Sequence, residues 1–337
     1  MLFRSENFET KPVCIRPEKN CAMRHFLQEN DFSEEEVKAI FASAFELKAS
    51  RSQRPSTDLK GGSWGMMFYK QSTRTRVSFE VGIRELGGNP VILDQSSTQI
   101  GRGESIADTA RVLSRFLDGL IIRTHGHEII EEFAQSSQIP VVNALTDLLH
   151  PCQIYADCMT LLEKLSAGSN PYEGLKGKKL AFYGDTSCNM ANSWILAGAM
   201  FGMEISLCGP KEFQPSQEIQ TLLQEDHLSP TWSFTTDPTH AAAGADVIYT
   251  DVWVSMGCEA DSQARLEAMK PYQVNETILE AAKEKAIFMH CMPAHPGEEV
   301  SQAVLDSDRA ILFDQAENRL HMQKAILAAL SKFNSLK

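Results

Sequence analysis

A chain of 337 residues is long enough for two ordinary domains or one large one, and its 43% hydrophobic content can fill their cores. A net charge of −12 speaks against a general binder of nucleic acid or anionic membranes, so any anionic ligand must be held by a local basic pocket. No apolar run is long enough to span a bilayer, and the eight cysteines include no C-x-x-C pair, which reads as reduced thiols of a cytoplasmic protein and argues against a tetrahedral zinc site.

Residues 1–22 hold polar residues and prolines without apolar periodicity, and are read as an N-terminal extension. Glu6, Glu9 and Glu18 count against a mitochondrial presequence. Ordered structure is expected from Met23, a second candidate initiator. Ser33 and Glu36 form a capping-box pattern that starts a helix. Strands are predicted near 64–69, 90–94, 119–123 and 139–143, with helices between them, including 105–116 and 128–135. A long helix covers about 151–165, and the Gly/Pro-containing stretch 166–177 reads as a connection between domains. A second series follows: strands at 179–183, 204–208, 247–250 and 286–289, a helix near 190–201, and a last helix at 322–333. Alternating strands and helices predict α/β architecture: two domains, each a parallel sheet flanked by helices. The boundaries are 23–150 for the first domain and 151–319 for the second, with 320–337 packing back on the first.

The most informative segment is Ser72-Thr73-Arg74-Thr75-Arg76, where a predicted strand hands over to a helix. A helix start has unpaired N–H groups and a favourable dipole for anions, and arginine adds forked donors that match phosphate oxygens. An N-capped helix with exposed arginines is the plain alternative. Arg123 ends a strand, and Arg319 is read as preceding the last helix; a surface role is the alternative for both. His150-Pro151-Cys152-Gln153 opens a helix, so His150 either caps it or donates to a carbonyl oxygen as charge develops. Asp251, after a strand, suits an ammonium group or caps a turn. Cys291, in His290-Cys291-Met292-Pro293, is a nucleophile only with a lowered pKa, and is otherwise a packed residue or polar contact. The loop Gly184-Asp185-Thr186-Ser187-Cys188-Asn189 lacks the G-x-G-x-x-G glycines, which argues against a nicotinamide enzyme.

These segments, together with Gln99-Ile100-Gly101-Arg102-Gly103-Glu104-Ser105 and Ser255-Met256-Gly257, resemble the aspartate/ornithine carbamoyltransferase family over nearly the whole chain from Met23. Ser-Met-Gly after an aspartate resembles its ornithine-using branch. The resemblance implies two α/β domains joined by interdomain helices, the first binding carbamoyl phosphate and the second ornithine. It also implies a homotrimeric unit or a multiple of it. No metal or organic cofactor is expected, because the activated leaving group already sits on the substrate. By the same resemblance Ser72, Thr73, Arg74 and Thr75 hold the phosphate, while Arg123, His150 and Gln153 hold the carbonyl and amide ends. Arg319, Cys291 and Met292 complete that pocket, and Gln99 reaches it from a neighbouring subunit. Asn189, Asp251, Ser255 and Met256 hold the α-amino and carboxylate groups of ornithine. Arg123, His150, Asp251 and Cys291 are the expected catalytic set, with Thr75 beside Arg123 and His150 at the oxyanion. Cys188 stands where the family often has asparagine and Met292 where leucine is usual; Cys258 and Pro296 are also uncommon. The expected activity is carbamoyl transfer to ornithine, giving citrulline, in arginine metabolism. Transfer to putrescine, N-acetylornithine or aspartate, and a non-catalytic paralogue that binds a phosphometabolite, are the alternatives.

Overall fold

The computed structural model describes residues 23–53, 56–94, 103–166, 168–254 and 262–335. The extension 1–22, Gln99, Ser255 and Met256 lie outside the described residues. The first helix, α1 (Glu34–Ala49), starts as its sequence dictates. Ser33 Oγ accepts from Glu36 N at 3.3 Å and Glu36 Oε2 accepts from Ser33 N at 2.8 Å. Then come β1 (Ser63–Phe68), α2 (Thr73–Glu85), β2 (Asn89–Asp94), α3 (Ile106–Leu113), β3 (Gly119–Arg123), α4 (His127–Ser136) and β4 (Val141–Leu145). Their strands form one parallel sheet in the order β2-β1-β3-β4.

Helix α5 (Pro151–Leu165) leaves that sheet, and one-turn α6 (Pro171–Gly174) interrupts the stretch read as connection. The second half holds β5 (Lys179–Tyr183), α7 (Asn189–Phe201), β6 (Glu204–Cys208), α8 (Gln217–Glu225), β7 (Thr231–Thr235), α9 (Pro238–Ala242) and β8 (Val247–Thr250). It closes with α10 (Ser262–Met269), α11 (Glu276–Ala281), β9 (Ile287–His290), α12 (Gln302–Leu305) and α13 (Leu312–Ser335). Its strands are again all parallel, in the order β7-β6-β5-β8-β9. The expected α/β class, two parallel sheets with helices around them, is what the chain forms.

Two differences from the sequence reading have a physical cause. Strand β7 is absent from the predicted series; it is a short edge strand bounded by Pro230 and Pro238, with a half-exposed face. Helix α13 begins ten residues before the predicted Met322, so Arg319 lies inside the helix rather than before it. The polar residues that read as loop, Gln315, Asn318 and Arg319, are buried at 1%, 0% and 3% exposure because they face other elements instead of water.

Helices α5 and α13 pack on each other between the two sheets, and α13 also packs on α1 and α2. Every residue of α5 from Pro151 to Leu162 is buried. The main core is continuous across this pair, from Trp64 and Phe79 on one side to Phe182, Trp194 and Tyr249 on the other. Burying each such large side chain contributes about 1.5–3 kcal/mol. A buried Lys324–Glu85 ion pair (2.8 Å) ties α13 to α2.

Candidate active site

Each sheet changes direction beside its first strand, between β1 and β3 in one and between β5 and β8 in the other. Ligands of open α/β sheets bind where carboxyl ends of strands diverge at such points. Here the carboxyl ends of both sheets open into a single cleft of about 750 Å³. It brings together Ser72, Thr73, Arg74, Thr75, Arg123, His150 and Gln153 from the first half with Asn189, Asp251, Cys291, Met292 and Arg319 from the rest of the chain.

The wall at the α2 start is cationic. Ser72 is the N-cap, and its Oγ accepts from Thr75 N at 3.2 Å, leaving the earlier N–H groups of the first turn facing the cleft. Arg74 crosses the cleft and donates from Nη2 to the Met292 carbonyl. Met292 has φ 64°, a left-handed backbone that non-glycine residues rarely adopt, and this turn brings its carbonyl to Arg74. Arg319 donates from Nη1 to Gln153 Oε1 and from Nη2 to Thr75 Oγ1 (2.9 Å). Arg123 ends β3, is 7% exposed, and carries a buried Nε with no hydrogen-bond partner among the described residues. Burial, together with the positive charge of Arg319, lowers its pKa to about 10, so it stays charged at neutral pH. Leaving such a buried donor unpaired costs about 1–3 kcal/mol.

His150 sits at the N-terminus of α5, where Pro151 occupies the first turn and Ser193 Oγ accepts from His150 N at 2.8 Å. Thr146 closes the preceding turn by accepting from Leu149 N. The ring is buried, and desolvation, aided by Arg319 and Arg123, pushes its pKa well below the usual histidine value. His150 is therefore a neutral hydrogen-bonding group at physiological pH.

The opposite wall is acidic and thiol-bearing. Cys291 Sγ donates to Asp251 Oδ1 at 3.0 Å, and the same oxygen accepts from Val252 N at 2.8 Å. Burial, and then the adjacent Asp251 charge, push the Cys291 thiol well above its usual pKa. It is a thiol rather than a thiolate, which removes the condition for a nucleophile. Asn189 begins α7 and donates to the Thr146 carbonyl at 2.7 Å, spanning the cleft floor. Asp251, His290 and Cys291 bring donor atoms within 4.8 Å of one another, a metal-like grouping. Both His290 ring nitrogens are already engaged, Nδ1 by Met292 N (2.8 Å) and Nε2 by Glu299 (3.2 Å).

Some lining residues carried no motif. Lys70 pairs with Asp147, and Arg265 pairs with Asp185 at 2.7 Å while stacking 4.6 Å from the Phe213 ring centre. Lys70 lies two residues beyond β1, between that strand and Ser72, a position that sequence can mark; Arg265 lies on α10, far along the chain, with no such mark. Gly184 (φ +105°) turns the chain out of β5, and a Cβ there would come within 3.0 Å of Trp253.

Comparison with known proteins agrees with this geometry. Residues 24–163 match the family model described as aspartate/ornithine carbamoyltransferase, carbamoyl-P binding domain, and residues 176–330 match the Asp/Orn binding domain. An ornithine carbamoyltransferase of Syntrophus aciditrophicus is 49% identical over 301 residues, covering 89% of this chain and 97% of that protein. One from Halalkalibacterium halodurans is 48% identical, covering 89% of this chain and 92% of that one. The solved structure of ornithine carbamoyltransferase from Pyrococcus furiosus superposes with a TM-score of 0.82 at 41% identity, covering 90% of this chain and 96% of that chain. With both of its domains matched over most of its length, the chain belongs to the aspartate/ornithine carbamoyltransferase family.

Proposed function

We propose that the chain transfers the carbamoyl group of carbamoyl phosphate to the δ-amine of L-ornithine, giving L-citrulline and phosphate in arginine metabolism. The observation that carries this reading is the facing of three guanidinium groups, Arg74, Arg123 and Arg319, by the Asp251–Cys291 pair across one cleft. A dianionic leaving group and an amino acid with two amines are complementary to those two walls.

The phosphate of carbamoyl phosphate lies on the α2 start, held by Ser72, Thr73, Arg74 and Thr75, with Arg319 as a further counter-charge. Gln99 of a neighbouring subunit completes this pocket. The carbamoyl end is held by Arg123, His150 and Gln153, with the backbone at Cys291 and Met292. Asn189, Asp251, Ser255 and Met256 take the α-amino and carboxylate groups of ornithine.

An alkyl amine such as this has a solution pKa near 10.4, and only its neutral form attacks. The three nearby guanidiniums disfavour a charged δ-ammonium, and Asp251 with Cys291 orients the amine. The neutral amine nitrogen bonds to the carbonyl carbon, and the proton it loses passes to an oxygen of the departing phosphate, which leaves as hydrogen phosphate. The carbonyl electrons move to oxygen, and collapse breaks the bond to the phosphate oxygen. Arg123, His150 and Thr75 face the developing oxyanion. Neutral His150 donates an N–H to it without itself needing a proton from solvent, and removing one such donor costs about 10²–10³-fold in rate. The leaving phosphate takes the bonding pair and is already among its counter-charges. The acyl donor arrives activated, so positioning supplies much of the remaining catalysis, with no cofactor.

The working unit is a homotrimer or a multiple of it, in the cytoplasm. No helix among the described residues is long and apolar enough to cross a membrane. The test is citrulline formation by purified protein with carbamoyl phosphate, comparing L-ornithine, putrescine, N-acetylornithine and aspartate. Turnover with ornithine alone is expected. Turnover with another amine overturns the assignment of the second half, and none with any amine supports a non-catalytic binder. Light scattering should give three times the chain mass or a multiple; a monomer rejects the role of Gln99.

A further inference from the structure

Asp157 lies one helical turn beyond Gln153 on α5, outside the cleft lining, with 0% exposure. Both of its oxygens are taken by donors from three elements. Oδ1 accepts from Gln153 Nε2 at 2.8 Å and from Gln315 Nε2 at 2.9 Å, and Oδ2 accepts from the Tyr249 hydroxyl at 2.8 Å. Each of these partners leads to the reacting groups. Gln153 accepts from Arg319, which donates on to Thr75 at the α2 start. Gln315 Oε1 accepts from His290 N at 3.0 Å, one residue before Cys291. Tyr249 is two residues before Asp251, and Asp251 and Cys291 bond each other.

We propose that Asp157 is a positioning residue that couples the two half-sites, holding Gln153 and Arg319 on the carbamoyl phosphate side in one network with the β8 and β9 ends that carry Asp251 and Cys291. This inference rests on the carbamoyl-transfer reading above. The physical argument is one of chemistry at a single carboxylate. An ionised carboxylate only accepts, and here it meets only donors, so the buried charge is satisfied by α5, α13 and β8 together. A protonated acid or an amide has one acceptor fewer and must turn its O–H or N–H toward the Tyr249 hydroxyl, which already accepts from Gln315 Nε2 at 3.1 Å, so the bond from Tyr249 to Asp157 reverses or is lost. The network ties α5 and α13, which pack between the sheets, to the second sheet. Displacing Gln153 or Arg319 on one side therefore bears on the carboxyl ends of β8 and β9 on the other, through Tyr249 and His290 N.

Ionisation of Asp157 is finely set. Burial pushes its pKa up to about 7, against the lowering effect of bonds from Gln153, Tyr249 and Gln315 and of the Arg319 charge. The other titratable groups that face it are Cys158 on α5, Tyr249 on β8 and Cys291 just after β9, all of which burial holds neutral.

The test is calorimetric binding of L-norvaline, which is ornithine without its δ-amine, in the presence and absence of saturating carbamoyl phosphate. It is run on the wild type, Asp157→Asn and Tyr249→Phe at pH 8. In the wild type the norvaline affinity should rise about tenfold or more with carbamoyl phosphate bound, a typical coupling between sites. In Asp157→Asn the ratio should fall to within about twofold, with citrulline kcat reduced more than either KM is raised. Tyr249→Phe, which removes one donor and leaves the carboxylate, should fall between them, and decides the matter if Asp157→Asn does not fold. A wild-type ratio near one, or a variant that binds norvaline weakly yet keeps the full ratio, overturns the proposal, because a merely structural role lowers affinity without touching the coupling. If the wild type binds neither ligand and makes no citrulline, the functional reading itself has failed.

Discussion

Glu29 should destabilise the protein at neutral pH, and Glu29→Gln should relieve it. Glu29 has 0% exposure, and neither carboxyl oxygen has a hydrogen-bond partner among the described residues. Burial pushes its pKa from 4.5 up to about 8, and the neighbouring Ser193 hydroxyl offsets only part of that. The folded chain therefore keeps the proton at pH 7, whereas the unfolded chain releases it above 4.5. Stability is untouched by this group below pH 4.5, falls as pH rises from there toward 8, and levels off above 8 once both states are ionised. At about 1.36 kcal/mol per pH unit, the loss reaches about 3 kcal/mol at pH 7 and stays under about 1 kcal/mol at pH 5. Glutamine keeps the shape and removes the titration. Thermal unfolding of wild type and Glu29→Gln, followed at pH 5, 6, 7 and 8, should show a gap in melting temperature that widens steadily with pH in favour of the variant. A constant gap, or a variant less stable at pH 8, would refute an uncharged buried Glu29.

The remaining predictions concern the cleft. Arg74→Ala should lower kcat by about 10²–10³-fold, the usual cost of removing an electrostatic clamp; near-normal citrulline formation would reject the phosphate site at the α2 start. Asp251→Asn should raise the KM for ornithine by about 10–100-fold, the worth of a charged hydrogen bond, while calorimetry still detects carbamoyl phosphate binding. Loss of both ligands together would point away from an ornithine contact. Cys291→Ser should keep activity within about tenfold, because a hydroxyl can donate the same single bond to Asp251; complete loss with a trapped carbamoyl-cysteine in the wild type would instead establish covalent catalysis. The His150 ring, followed by NMR, should show no titration between pH 5 and 8, since burial and two arginines keep it neutral; a protonation midpoint in that window contradicts the assigned neutral donor.

Much of the cleft was legible because its residues announce themselves in a fixed way. An apolar parallel strand followed at once by a charged or hydroxyl residue marks a sheet's carboxyl edge. Arg123 at the end of β3, Asp251 after β8 and Cys291 after β9 all have that form, as does the run from Lys70 to Thr75 after β1. The same logic fails where polar residues are buried. On α13, Gln315, Asn318, Arg319 and His321 are all buried, so a pattern that equates polarity with water starts the helix only after them, at Met322. Asp157 and Glu29 disappear for the same reason: on sequence they are a polar helix position and a polar turn, and only three-dimensional packing shows that neither reaches solvent.

These buried groups also explain why the two interdomain helices are built as they are. An apolar α5–α13 seam would pack at least as stably, since burying a charge costs several kcal/mol that pairing repays only with good geometry. What an apolar seam lacks is direction. Arg319 is oriented by Gln153 and Thr75, Gln153 by Asp157, and Asp157 by Tyr249 and Gln315, so the guanidinium in the cleft has its position fixed by a chain of bonds that ends in the opposite sheet. Stability is given up in the seam, and in return a cation that must meet a leaving phosphate is held before the substrate arrives.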